Sequence, residues 1–359
     1  MKKYVSVIIA GSFFLSVSAQ INDIGTFISG GTADGEKILK SYITPYTTAF
    51  GAALSGGWYN TAKAHKPGGF DISLTTSVGM VPSADRSFDL DELGLNGRYT
   101  SSEAPTAAGK REDGPEMRYD AYSPLGDTIS LVRYNLPQGS GIPFVPVPML
   151  KLGVGIFAKT ELLGRYMPTV KIGSFGSIGL WGAGLKHDLT QYMGIADRLP
   201  ALNISLMGGY TKFSSSFNLD VKPGDFGAVD STVVRSFNNQ EMDLSVSNLT
   251  ANLLISADLP VVCFYGGAGI TATTTKLTIT GDYPLPDQNT YFIDQDLELR
   301  GVVTDRSVIS DPLNIKTKTG VKPRVNAGIR LKFGVFILHA DYTYANYSLA
   351  TLGMGISFR

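Results

Sequence analysis

The residues best suited to catalysis or metal binding are few in this sequence and lie far apart. None of the three histidines, His65, His187 and His339, has a second His or Cys at the spacing of a metal site. No Gly-x-Ser-x-Gly segment marks an activated serine nucleophile. We therefore expect no enzyme, no metal site and no cofactor, and structural roles for the histidines.

Charged residues on strand-like segments form the second chemically distinctive set. In residues 322–333 polar and apolar residues alternate, so that the charges of this segment share one face. If such a segment crosses a membrane, its charges face the interior, because a lipid-facing charge costs roughly 2–4 kcal/mol. The candidate lumen charges identified in this way are Lys151, Glu161, Arg165, Lys322, Arg324, Arg330, Lys332, His339 and Asp341.

Two interpretations of these charges remain open. They could pair with a plug or with carboxylates across a lumen, which is a structural role. They could instead form a selectivity lining that attracts the carboxylate of an anionic amphiphile. His339 and Asp341, one strand step apart, are also placed to form a hydrogen-bonded pair.

The elements that must position these charges are β-strands. Apolar residues alternate with Gly, Ser, Thr and Asn in residues 70–80, 150–156, 202–211, 249–257, 336–344 and 351–358. A transmembrane strand takes about 9–11 residues with this alternation. We predict an all-β fold, a transmembrane antiparallel barrel of about 12–14 strands with a short helical N-terminal plug segment. A soluble β-sandwich also alternates and is the alternative fold.

Composition agrees with a barrel and excludes other classes. The 359 residues carry 31 basic and 31 acidic side chains, and charged residues make up 17%, against about 25% in an average soluble protein. The chain is too apolar to be disordered, and its lack of net charge argues against nucleic acid as a partner. A single Cys excludes a disulfide scaffold within the chain.

The N-terminus has the pattern of a bacterial signal peptide. Lys2 and Lys3 precede an apolar run, and small residues lead to cleavage between Ala19 and Gln20. No Cys follows that site, so no lipoprotein anchor is expected, and no later segment has the pattern of a transmembrane helix. The penultimate Phe358, in an alternating last strand, is typical of the C-terminal signal that barrel-assembly machinery reads. We predict an outer-membrane location, with outer-membrane lipid and that machinery as partners.

Residues between the signal peptide and the first strand do not alternate. Asp34 could cap a helix that ends before Pro45, and a second helical stretch runs from Tyr46 to Leu54. This segment could be a plug inside the lumen or a periplasmic cap, and we favour the plug. The predicted division is a signal peptide at 1–19, a helical plug segment at 20–66 and a barrel at 67–359. The polar stretches 85–125, 218–240 and 282–320 are predicted as extracellular loops.

Several segments resemble a known family. These are Trp181–Met193, Gly208–Phe213, Gly56–Lys63 and Thr160–Pro168, and together they resemble an uncharacterised domain of unknown function in outer-membrane barrels of Bacteroidota. More distantly, a helical N-terminal segment before a barrel of this size is similar to the FadL-type transporters of hydrophobic compounds, which are 14-stranded barrels with an N-terminal hatch. The Asn-Pro-Ala segment typical of that group is absent, and Ser41–Pro45 occupies the comparable place.

The sequence leads to two main hypotheses of function. The first is a porin-like passive channel for small hydrophobic or amphipathic compounds, which the FadL-type resemblance implies. The alternative is a structural or surface-interaction barrel without transport activity. The packing of residues 21–60 discriminates between them, since an apolar pocket beside a plug favours transport and a fully packed lumen favours the structural role.

Overall fold

A closed antiparallel β-barrel of ten strands forms the body of the protein. The structure is a computed structural model that describes residues 27–28, 30–122, 128–173, 176–193, 199, 201–226, 228–231, 233, 237–285, 291–293, 295 and 299–358. The barrel strands are β1 (Phe70–Met80), β2 (Phe144–Gly155), β3 (Thr160–Ile172), β4 (Gly176–Asp188), β5 (Leu202–Asn218), β6 (Glu241–Asp258), β7 (Val262–Thr280), β8 (Leu313–Phe333), β9 (Phe336–Ala345) and β10 (Leu349–Phe358). Each strand pairs with its neighbour in sequence, and β1 pairs with β10 to close the barrel. The predicted all-β barrel is confirmed.

The number of strands differs from the prediction of about 12–14. The strands β5 to β8 are 17, 18, 19 and 21 residues long. Strands of about 9–11 residues were assumed, and the long strands take up sequence that would otherwise form additional ones. Residues 313–320, predicted as part of a loop, belong to β8 for the same reason.

Polarity inverts along these long strands. In β6 the outward side chains are Leu249, Ala251, Leu253 and Ile255 in one half, but Asp243, Ser245 and Ser247 in the other. The inward side chains change in the opposite sense, from Asn248, Thr250 and Asn252 to Met242 and Val246. The strands β5 and β7 show the same inversion, with Phe213, Phe217, Leu277 and Ile279 buried inside. One half of these long strands is therefore apolar outside and polar inside, and the other half is the reverse.

The connections divide the barrel into two distinct ends. At one end, which we call the turn end, β2–β3, β6–β7 and β8–β9 are joined by short turns. At the other, the loop end, the long connections 81–143, 219–240 and 281–312 carry small sheets of their own. The inverted halves of β5 to β8 lie at this loop end.

The helix α1 (Thr32–Ser55) lies inside the barrel. It packs against β1, β2, β6, β7, β8 and β10, which lie on different sides of the lumen. Two helices separated at Pro45 were predicted, but α1 continues through Pro45, which is buried. A proline within a helix costs about 3 kcal/mol, and packing of α1 on the surrounding wall offsets that cost. Among the described residues, no helix has both the length and the hydropathy to cross a membrane.

Candidate functional site

The lumen is the site where the predicted charges meet the N-terminal segment. From here on, the plug segment means residues 32–66, which is the part of the predicted segment 20–66 from the start of α1 onward. Its first turn lies at the loop end, where the Asp34 carboxylate accepts hydrogen bonds from the backbone N–H groups of Asn96 and Gly97 and from the Tyr119 hydroxyl. Asp34 thus lies within the first turn of α1 and anchors a loop, whereas a helix cap was predicted. At the turn end, His65 lies 3.2 Å from the Ser357 hydroxyl of β10. The plug segment therefore runs through the whole lumen.

The anchor at Asp34 rests on a half-buried pair of tyrosines. The rings of Tyr119 and Tyr134 stack with centroids 6.3 Å apart. Burial raises the pKa of Tyr134 to about 12, and burial, followed by the neighbouring Tyr134, raises the pKa of Tyr119 well above its usual value. Both phenols therefore stay protonated at neutral pH, and the Tyr119 hydroxyl remains a donor to Asp34.

Two buried arginines from different strands hold the C-terminal end of α1. Arg165 of β3 donates from Nη1 to the Leu54 carbonyl at 2.8 Å and from Nη2 to the Gly56 carbonyl. Arg324 of β8 donates to the Ser55 carbonyl at 2.5 Å. The last carbonyls of a helix have no partner within it and carry partial negative charge, so cations stabilise them. The two guanidinium groups therefore fix the helix end in the middle of the lumen.

The indole of Trp58 fills the space just beyond the helix. The Arg165 guanidinium carbon lies 3.7 Å from the centre of the Trp58 ring, a cation–π contact. Gly184 of β4 and Gly209 of β5 face the ring, and a Cβ at either position would lie within 3.0 Å of indole carbons. The glycines thus create the space that the indole occupies, and Trp58 is only 1% exposed.

Buried polar contacts hold the plug segment at the turn end. The Glu161 carboxylate lies 2.9 Å from His65 Nδ1 and 3.0 Å from Lys186 Nζ, and all three side chains are buried. Lys151 pairs with Asp71 at 2.9 Å on the same level of the wall. The ligand atoms of His65, Asp71 and Glu161 lie within 4.8 Å of one another, a spacing suited to a metal ion. Both carboxylates already pair with buried ammonium groups, so this group suits ion pairing better than cation binding.

The structure places most of the predicted lumen charges inside the barrel. Lys151, Glu161, Arg165, Arg324, Arg330, His339 and Asp341 are buried. The Asp341 carboxylate accepts from the Tyr265 hydroxyl at 3.0 Å, not from His339. Lys332 is half-buried near the turn end of β8.

Lys322 lies on the same face of β8 as Arg324 and is exposed at the loop end, where it lines a cleft beside α1. The register between β7 and β8 shifts between Ala272 and Thr274, where β8 contains one extra residue. The bulge lies beyond Val321, so Lys322 and Arg324 keep the same alternation, and only residues on the far side of the bulge change face relative to it.

Two predicted features concern the chain ends. Ala19 and Gln20 lie outside the described residues. Phe358 ends β10, where its ring packs on Phe70 of β1 with centroids 5.1 Å apart, and its role as an assembly signal stays a prediction.

Sequence reasoning missed three residues of the turn-end cluster: Lys186, His65 and Asp71. A signal for Lys186 was present, because it follows the outward-facing Leu185 on an alternating strand and must point inward. No comparable signal existed for His65, which lies in a segment without regular structure. Its position depends on how the plug segment threads through the lumen.

Comparisons with known proteins show similarity to solved barrels. The chain is 8% identical to Ail, the attachment invasion locus protein of Yersinia pestis, covering 81% of this chain and 98% of that one with a TM-score of 0.26. It is 12% identical to the translocator domain of the autotransporter NalP from Neisseria meningitidis, covering 89% and 99% with a TM-score of 0.29. For the Pseudomonas putida toluene transporter TodX the identity is 10%, the coverage 86% and 92%, and the TM-score 0.16.

A match to a protein family covers nearly all of the chain. No curated protein matches the chain. A family of unknown function, DUF6588, matches residues 1–358, which is nearly the whole sequence. The chain therefore belongs to the family of unknown function DUF6588.

Proposed function

We propose that this protein is an outer-membrane β-barrel that its N-terminal plug segment keeps closed, and that it acts at the cell surface as a structural or surface-interaction barrel. The observation that carries this proposal is the filled lumen. Buried polar contacts hold the plug segment to the wall at the helix end, at Trp58 and at His65. A fully packed lumen is the outcome that favours the structural hypothesis over an open pore.

The polarity of the wall supports a membrane location. In the turn-end half, outward side chains such as Leu249, Leu253 and Phe264 are more than 50% exposed. Exposed apolar residues over a closed wall suit lipid, and buried polar residues suit the lumen of a membrane barrel. In the loop-end half the polarity is that of a water-soluble protein, so this half is expected to project beyond the bilayer.

Long connections at one end support the orientation. Barrels of the outer membrane carry short turns on the periplasmic side and longer loops outside. The loop end, with its small sheets and the projecting half of the barrel, is accordingly the extracellular end. Its small sheets and long loops offer a large folded surface to a partner. Among the residues that the structure describes, the lumen offers no open passage.

Fractionation and conductance together test this proposal. The protein is expected in outer-membrane fractions, with heat-dependent mobility on denaturing gels. The full mature chain in planar bilayers is expected to show no steady conductance, because the plug segment fills the lumen. A steady open channel would contradict the closed barrel, and recovery only in the soluble periplasm would contradict the membrane location.

A passive channel for small hydrophobic or amphipathic compounds is the second candidate function. One observation favours it: the lumen wall around α1 in the loop-end half is apolar, with Met149, Phe213 and Val246 buried against the helix. If the plug segment moved, an apolar compound would meet this surface. Uptake of a hydrophobic dye by liposomes containing the full chain, and by liposomes containing a variant without residues 21–60, tests this candidate. Failure of both to take up dye would exclude it.

A further inference from the structure

A cleft opens at the loop end between α1, the first long connection and β8. Its volume is about 790 Å³. Its walls belong to elements that are far apart in sequence, namely α1, residues 85–93, Thr106, the bulged part of β8 and the β9–β10 turn. The cleft lies outside the packed plug contacts and is open to the extracellular side in the proposed orientation.

One face of α1 lines this cleft. Lys37, Lys40, Ser41, Thr44 and Thr48 recur at intervals of three or four residues, so they share one side of the helix. The opposite side, with Ile38 and Leu39, is buried in the core of the lumen. The polar side of the helix therefore faces the cleft, and Lys37 Nζ on this side also donates a hydrogen bond to the Gly94 carbonyl at 2.7 Å.

The bulge in β8 supplies the opposing wall. Lys318, Thr319, Gly320 and Lys322 line the cleft where the register with β7 shifts. Bulges often re-aim side chains next to functional sites. Lys322 shares the inward face of β8 with Arg324, and Lys318 lines the cleft from the other side of the bulge.

Positive charge dominates the cleft. Lys37, Lys40, Lys318 and Lys322 contribute four ammonium groups, and among the described residues none of them forms an ion pair with a carboxylate. Asp85 is the one carboxylate of the lining, and it accepts a hydrogen bond from the Tyr347 hydroxyl. Grouped like charges repel one another, so an anion that enters relieves an existing electrostatic cost.

The other lining groups define the ligand more closely. Hydroxyl groups of Ser and Thr residues and the amide of Asn346 offer donors and acceptors for a polyhydroxylated molecule. The rings of Phe88 and Tyr347 add flat apolar surface of the kind that contacts sugar rings, and Leu93 adds further apolar surface. We propose that this cleft binds a soluble anionic oligosaccharide, with the lysines contacting its acidic groups. This inference rests on the proposed surface-interaction function.

Titration calorimetry of the full chain in detergent micelles tests the inference. The probes are trigalacturonate, which carries three carboxylates, and maltotriose, a neutral sugar of the same length. Trigalacturonate is expected to bind at least about tenfold more tightly than maltotriose, because hydrogen bonds to charged groups are stronger. Added salt is expected to weaken binding of trigalacturonate but not of maltotriose, since the lysines are exposed.

The double variant Lys40→Glu/Lys322→Glu tests the residues. It changes the lining from four ammonium groups and one carboxylate to two ammonium groups and three carboxylates, and affinity for trigalacturonate is expected to fall about tenfold or more. Lys110→Glu is the matched control, because Lys110 is exposed in the long connection 81–143 at the loop end and does not line the cleft. Heat-dependent gel mobility confirms that each variant folds.

Three outcomes would overturn the inference: no binding of trigalacturonate, equal binding of the two sugars, or equal losses in the double variant and the Lys110→Glu control. If the protein fractionates with the outer membrane and shows no conductance but does not bind trigalacturonate, only this inference fails. If it does not fractionate with the outer membrane, the proposed function fails as well, and the two failures are thereby distinguished.

Discussion

Replacing Gly209 with alanine is expected to disturb the packing of Trp58 in the lumen. A Cβ at Gly209 would lie 2.7 Å from indole carbons Cε2 and Cζ2, and real Cβ atoms essentially never approach this closely. The indole cannot simply move away, because it is only 1% exposed and the Arg165 guanidinium carbon lies 3.7 Å from its ring centre. Overpacking of this kind costs about 1–3 kcal/mol, which is the expected loss in the free energy of unfolding for Gly209→Ala.

The neighbouring Gly208 provides a matched control on the same strand. It faces outward, and a Cβ at that position would meet nothing within 4 Å. Both substitutions lower the backbone entropy of the unfolded chain equally, so the difference between them isolates the contact with Trp58. Gly208→Ala is expected to change the free energy of unfolding by no more than about 0.5 kcal/mol.

Urea unfolding in lipid vesicles, followed by tryptophan fluorescence, measures both values. Trp181, the other tryptophan, is 52% exposed on the outer face, and Trp181→Phe leaves Trp58 as the only reporter. The reasoning is refuted if Gly208→Ala and Gly209→Ala shift the unfolding midpoint by the same amount. It is also refuted if Gly209→Ala leaves the Trp58 emission and its unfolding curve unchanged.

Three further predictions follow from the wall and the plug segment. Glu161→Gln leaves the buried Lys186 without its carboxylate and is expected to lower the free energy of unfolding in urea by about 3–5 kcal/mol. The double variant Glu161→Gln/Lys186→Met removes both charges and is expected to lose less, and a double variant as unstable as the single one would contradict the pairing. Leu253→Arg places a charge on the lipid-facing half of β6 and is expected to lower the free energy of unfolding by roughly 2–4 kcal/mol in vesicles. Ser245→Arg, on the projecting half of the same strand, is expected to be tolerated, and equal effects of the two variants would contradict the inversion of polarity. An epitope placed ahead of Phe27 is expected to bind antibody on intact cells, because α1 begins at the loop end, and an epitope in the 259–261 turn is not; the reverse result would invert the orientation.

The barrel was predictable because lipid-facing strands leave a period of two in the sequence. In β1, Asp71, Ser73, Thr75 and Ser77 are buried while Leu74 is 49% exposed, as alternation predicts. The strand number was not predictable in the same way, because the apolar face of β5 to β8 switches from outside to inside partway along. If one environment is assumed for a whole strand, the alternation of such a strand is interpreted as two separate strands.

The plug segment was predictable in kind but not in detail. A non-alternating segment with helical spacing before the first strand indicated a helix in or near the lumen. Its course past Pro45, and the contacts of Arg165 and Arg324 with the end of α1, depend on packing across the barrel. Such long-range contacts leave no local pattern, so charged residues could be assigned to a face but not to a partner.

Accessibility of Trp58 to an aqueous quencher tests the central claim, that the plug segment fills the lumen of the closed barrel. The Trp181→Phe variant in lipid vesicles reports on Trp58 alone, and acrylamide is the quencher. Because Trp58 is 1% exposed, the account predicts little quenching in the folded barrel and full quenching after unfolding in urea. Quenching of the folded protein as strong as that of free tryptophan would show that the plug segment lies outside the lumen, and would contradict the account.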